Sequence, residues 1–205
     1  GPIGDELRAA MLDRARVRLM QPWYRGPRYL TTTSRKVLSP DDLKGMKLRV
    51  PELEVYIKAW QLFGANVTPI PFTDMFMALK LGVVEGQENP LATIAGCHLQ
   101  EVQKYAMETR HLISFYIPAF GPYFERRLNA EERALLERAL ADATRWHNDE
   151  VERAEAEYRQ KLEADGMVFV PLDTEPFRRL AAERLPPIFA GVWKPGLIER
   201  ITETR

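Results

Sequence analysis

The chain has 205 residues, 29 Lys and Arg against 29 Asp and Glu, and 45% hydrophobic residues; it is one large or two small domains, too apolar for wholesale disorder and without the basic excess of a general nucleic-acid binder. Its one cysteine, Cys97, excludes an internal disulfide framework and a thiolate metal cluster within one chain. No uninterrupted apolar stretch approaches the ~18 residues of a spanning helix, so no direct membrane span is expected.

Gly1-Pro2-Ile3-Gly4 has neither an initiator Met nor the basic head and apolar middle of a signal peptide, so the chain is read as processed or as beginning within a longer protein. Asp5 to Arg16 sets Leu7, Met11, Leu12 and Ala15 near helical spacing. Residues 17–23 read as a strand, Gly26-Pro27 as a turn, and Arg28 to Ser34 as a second strand. Ser39-Pro40-Asp41-Asp42 has the form of a helix start, and the short helix stops at Gly45. Residues 46–50 alternate as a strand does, and Pro51 ends it. Leu53, Tyr56, Ile57, Trp60 and Phe63 share one face of a helix over 52–63, with Gly64 as its stop.

Residues 66–70 then read as a strand and 73–81 as a helix capped by Thr73 and stopped by Gly82. Val83-Val84-Glu85 start a third strand, followed by Gly86-Gln87-Glu88-Asn89-Pro90 and a helix over 91–105. This alternation predicts an α/β fold with parallel strands and right-handed crossovers, in which ligands sit beyond the carboxyl ends of the strands. Those ends carry Arg49, Pro71-Phe72 and Gln87-Glu88-Asn89: a cation, an aromatic and an amide on one rim.

Residues 111–124 read as a β-rich connection. Asn129 to Asp165 is one long helical pattern, with Asn129 as cap, Glu132 at capping-box spacing and Gly166 as stop. Its 37 residues extend roughly 55 Å. Leu136, Leu140, Ala143, His147, Val151, Ala154, Tyr158 and Leu162 form its inward stripe. Residues 167–170 read as a strand, and 176–184 and 196–201 as closing helices.

Catalytic signals are weak. His98, His111 and His147 lie far apart, without metal-ligand spacing, and read as structural histidines; no metal or cofactor is expected. Cys97 reads as a small buried residue. Arg49, at a strand end, is suited to holding a carboxylate by two parallel hydrogen bonds, or equally to a surface pairing with Asp41 or Glu52. Asn89 is placed either to cap the helix that follows or to donate its amide to a ligand oxygen. Position alone makes Phe72 a core residue and Arg28 a surface one.

SPDDLKGMKLRVPE (39–52), FGANVTPIPFTDMFMALKLGVVEGQENP (63–90) and EVQKYAMETRH (101–111) resemble the solute-binding proteins of tripartite ATP-independent periplasmic (TRAP) transporters. The motifs DLKG-x-K-x-RV and G-x-V-x-GQENP carry most of the likeness, and GPRYLTTTSRKV and the long helix fall in the family's order. The match begins inside the family pattern, about a third of the way along, so the chain is read as a C-terminal fragment.

The resemblance implies a periplasmic-binding-protein-like architecture of two α/β lobes, a long helix spanning both, and closure over one small organic acid. It makes residues 26–114 with 155–205 the second lobe, and 1–25 with 115–154 the remnant of an incomplete first lobe with the spanning helix. It implies that Arg49 holds the ligand carboxylate, that Arg28 is a second ligand arginine, and that Phe72 and Asn89 pack against and hydrogen-bond the ligand. Glu88 and Gln87 belong to the same motif. A periplasmic location and TRAP membrane subunits as partners follow on the same ground, and so does the absence of enzymatic activity. Two other readings stand beside it: an enzyme acting on sugar acids with His111 or Glu88 as base, and an interaction protein built on the long helix with its stripe exposed.

Overall fold

Alternating apolar positions in residues 47–50 and 66–69 seat two short parallel strands, and the rest of one sheet is assembled around them. A computed structural model describes residues 1–204. In chain order the elements are α1 (Pro2–Ala15), β1 (Arg18–Leu19), β2 (Trp23–Thr32), β3 (Lys47–Val50), α2 (Glu54–Leu62), β4 (Asn66–Pro69), α3 (Met75–Lys80), β5 (Gly86–Pro90) and α4 (Leu91–Gly96). They continue with β6 (Tyr105–Met107), β7 (Ile113–Tyr116), β8 (Ala119–Phe120), α5 (Pro122–Glu125), α6 (Ala130–Ala164), β9 (Val168–Val170), α7 (Glu175–Ile188) and α8 (Leu197–Glu203). Single 3-10 turns occupy Pro40–Leu43, Phe72–Asp74 and Leu99–Glu101.

The chain forms two units. One comprises Gly1–Gly26 and Ser114–Ala154; the other comprises Pro27–Ile113 and the described residues from Glu155 onward. In the first, β1 and β8 pair antiparallel, Arg18 opposite Phe120. The start of β2 is tied to α6: the Trp23 indole donates to Thr144 Oγ1 (2.9 Å), and Asn148 Oδ1 accepts from the Tyr24 amide (2.8 Å). His147 bonds the Tyr24 carbonyl oxygen at 2.9 Å and stacks on Trp23 with ring centres 4.8 Å apart, the structural role read from sequence.

The second unit is built on strands in the order β4-β3-β5-β2-β6-β9. Three of these pairs, β3–β4, β3–β5 and β6–β9, are parallel; β2–β5 and β2–β6 are antiparallel, so the sheet is mixed. Hydrophobic side chains cover both faces. Tyr29, Met75, Leu79, Ile94 and Leu162 belong to one buried cluster; Leu30, Leu48, Val50, Trp60 and Phe177 belong to the other. Burying one such side chain contributes roughly 1.5–3 kcal/mol.

Several elements differ from the sequence expectation. Gly26-Pro27 is not a turn but lies inside β2, where Gly26 takes φ +90° and bends the strand without ending it. The expected strand over 17–23 shrinks to Arg18–Leu19, because Pro22 supplies no N–H to a ladder. The third strand is Gly86–Pro90 rather than Val83–Glu85. All five of its residues are buried, including three polar ones, which an apolar periodicity does not detect. The helix over 73–81 is shortened to Met75–Lys80 after a 3-10 turn, and the helix over 91–105 ends at Gly96. Cys97 is half-buried rather than buried.

The long helix has the expected phase. Asn129 Oδ1 accepts from the amides of Glu131 and Glu132 (2.9 Å each), and Glu132 returns a bond to the Asn129 amide (2.9 Å). Every residue of the stripe from Leu136 to Leu162 is half-buried or buried, whereas the interaction-protein reading required it exposed.

Candidate functional site

The antiparallel register of β2 and β5 sets Leu30 opposite Glu88, Tyr29 opposite Asn89 and Thr31 opposite Gln87. Opposed residues share a face, so Glu88 lies on one side of the sheet while Gln87 and Asn89 lie on the other. A Cβ at position 86 would fall 2.5 Å from the Thr31 carbonyl oxygen, so only glycine allows β5 to approach β2 here.

Arg28 is buried, not the surface residue that its position alone implied. Its Nε pairs with Glu88 Oε2, and its Nη2 donates to Glu88 Oε1 (2.8 Å), the Glu88 carbonyl oxygen (2.8 Å) and Asn89 Oδ1 (3.0 Å). Glu88, fully buried, also bonds His111 Nε2 at 2.9 Å. The Thr109 hydroxyl accepts the Leu30 amide (3.3 Å) and lies 2.8 Å from His111 Nδ1. Burial raises the Glu88 pKa, but hydrogen bonds from His111 and Arg28 outweigh it and hold the carboxyl below its ordinary range.

On the other face, Asn89 donates to Gln87, Gln87 Nε2 donates to Thr31 Oγ1 (2.7 Å), and Thr31 donates to Gln103 Oε1 (3.0 Å). Asn89 is therefore engaged with its own strand and with Arg28, and does not cap α4. Thr31, Gln103 and Thr109 were not singled out from sequence; the available signal was a polar residue recurring inside β-forming segments.

Arg49 is 2% exposed, which rules out the surface reading. Its Nε donates to the Ile70 carbonyl oxygen at 2.9 Å, its one hydrogen bond among the described residues. Burial, with Arg28 nearby, pushes its pKa below the ordinary arginine value, against the opposing pull of Glu88 and Glu52. Phe72, in the 3-10 turn that follows Ile70 and Pro71, is 54% exposed, so the core expectation fails there.

The charges of the cluster are unequal. Arg28 and Glu88 neutralise each other, whereas Arg49 has no paired carboxylate among the described residues and remains a buried positive charge. A buried cation is costly unless an anion and hydrogen-bond acceptors meet it. A base role for His111 or Glu88 finds no support: both ring nitrogens of His111 are engaged, and Glu88 is held by two partners. Among the described residues no group of three or more side chains is placed to hold a metal ion. No helix among them is long and apolar enough to cross a membrane.

Relatives bear the same organisation. A solute-binding protein of Roseobacter denitrificans is 35% identical over 89% of this chain and 56% of its own length. The sialic acid-binding periplasmic protein SiaP of Vibrio cholerae is 32% identical over 91% of this chain and 56% of its own length. The chain thus spans about half the length of the curated relatives it matches. Among solved structures, a TRAP periplasmic solute-binding protein of Roseobacter denitrificans with bound L-galactonate superposes with a TM-score of 0.85 at 34% identity, covering 96% of this chain and 64% of that one. Another protein of that organism, with bound 3-deoxy-D-manno-oct-2-ulosonic acid, gives 0.91 at 28% identity, covering 98% and 68%. The relatives are binding receptors, not enzymes. A family model matches residues 1–191, and the chain belongs to the DctP family, the bacterial extracellular solute-binding proteins of family 7.

Proposed function

We propose that the chain is part of an extracytoplasmic receptor that binds a small organic acid through Arg49 and delivers it to the membrane subunits of a TRAP transporter in the periplasm. The observation that carries this reading is the buried Arg49 guanidinium, with one hydrogen bond and no paired carboxylate among the described residues. A ligand carboxylate supplies the missing charge and accepts from the guanidinium edge in the planar fork geometry. Arg28, fixed by Glu88, acts as a second donor to the ligand from a set position. Asn89 and Gln87 extend that polar frame, and exposed Phe72 offers an apolar face for the carbon skeleton. One unmatched positive charge fits one carboxylate, which favours sugar acids and oxo acids. The names of the relatives, with sialic acid, L-galactonate and an octulosonic acid, fall in that class. The second unit corresponds in this reading to one lobe of the receptor, and the first unit to part of the other.

A thermal-shift panel of sugar acids and their neutral alditols tests the reading. At a hundredfold excess over Kd, a bound acid stabilises by about 2.7 kcal/mol. A saturable rise with at least one acid and none with its alditol is expected. Equal shifts for an acid and its alditol would show that charge plays no part.

A further inference from the structure

Apart from Arg49, the second unit carries a half-open cavity of about 480 Å³ lined by α2, α7, the segment 109–111 and the C-terminal segment. Its wall is a run of aromatic rings. Trp60 meets His111 edge-on at 4.9 Å and Phe63 at 5.6 Å, and Phe63 meets Phe177 at 5.3 Å. Such edge-to-face contacts hold each ring in place and keep the wall from collapsing inward. Farther along α7, Ala181 and Ala182 line the cavity where longer side chains would fill the space, and Trp193 lines it too.

The charged groups at this cavity lie near groups of opposite charge. Arg178 pairs with Glu175 at 2.9 Å, His111 with Glu88 at 2.9 Å, and Arg110 lies 3.9 Å from Glu108. The Thr174 hydroxyl lines the cavity and makes no hydrogen bond among the described residues. An apolar cavity of roughly 150 Å³ already takes a one-ring guest, and small-molecule pockets span roughly 300–1,000 Å³.

We propose that this cavity is a second binding site, for an uncharged two-ring aromatic molecule bearing one hydroxyl. The rings stack within the Trp60–Phe63–Phe177 wall, and the hydroxyl bonds Thr174. A carboxylate is disfavoured among the rings, because it would be desolvated there while the rim arginines Arg110 and Arg178 already lie near carboxylates of their own. The site is independent of the organic-acid reading, although His111 is common to the cavity wall and to the Glu88 pair.

Calorimetric titration of the 205-residue chain with 2-naphthalenemethanol and 2-naphthoate tests the proposal. One saturable site for the alcohol is expected, with the carboxylate at least tenfold weaker. Ala181→Phe fills the space and should weaken the alcohol at least tenfold with no fall in Tm; Ala182→Phe serves the same purpose should the first variant misfold. Arg49→Lys should leave the alcohol unaffected. No saturable binding of the alcohol, or undiminished affinity in the filled variants, overturns the site. Equal affinity for 2-naphthoate overturns the uncharged class.

Discussion

Replacing Glu88 by Gln leaves the Arg28 guanidinium buried beside a neutral amide. Removing one partner of a buried pair costs about 3–5 kcal/mol, so Glu88→Gln should lower the urea midpoint sharply. A change below 1 kcal/mol would mean that solvent or another carboxylate already serves Arg28. The same carboxyl sets an acid limit. Its folded pKa lies below the ordinary glutamate value, so on acidification the unfolded chain takes up the proton first. Its stabilising contribution is present above about pH 4.3 and is lost as pH falls through the folded value. Urea midpoints measured from pH 6 to pH 3 should fall steeply below about pH 4, and that slope should flatten in Glu88→Gln. Residue identity made Arg49 legible, since the motif around it is specific. The partners of Arg28 were not legible, because a pairing across 60 residues depends on register.

At the scale of the element, β5 is the clearest departure. GQENP lacks β-branched residues and contains glycine and proline, so the strand is expected to start over Val83–Glu85, ahead of it. Tertiary pairing with β2 and β3 overrides that propensity, because every polar side chain of the strand finds a buried partner. Gly86→Ala tests the close approach: the added methyl meets backbone that cannot rotate away, at a cost of roughly 1–3 kcal/mol. An unchanged denaturation midpoint would mean that β2 and β5 sit farther apart. Helix α6 was legible down to its cap, because capping chemistry and the apolar stripe act over a few residues. Asn129→Ala should cost about 1 kcal/mol and speed amide exchange in the first turn; unaltered exchange there would deny the cap its role.

For the whole molecule, burial is uneven. The buried hydrophobic side chains among the described residues, from Tyr29 to Phe189, all belong to the second unit. In the first unit Leu7, Phe115, Tyr116, Tyr123 and Trp146 are exposed. Local opening free energy follows buried apolar contact, so amides of β3, β5 and the second half of β2 should exchange slowest, and those of β1 and β8 orders of magnitude faster. Comparable protection in the two units would contradict this. The α/β class and the order of elements were legible from local alternation, whereas the antiparallel placement of β2 between β5 and β6 was not, being a choice among long-range pairings. The most direct test of the central claim is a calorimetric titration of Arg49→Lys with whichever sugar acid the wild-type chain binds. Losing the fork should cost about 2–3 kcal/mol, roughly 30- to 150-fold in Kd, with folding intact. An unchanged Kd in a folded Arg49→Lys variant would contradict the assignment of Arg49 as the carboxylate anchor.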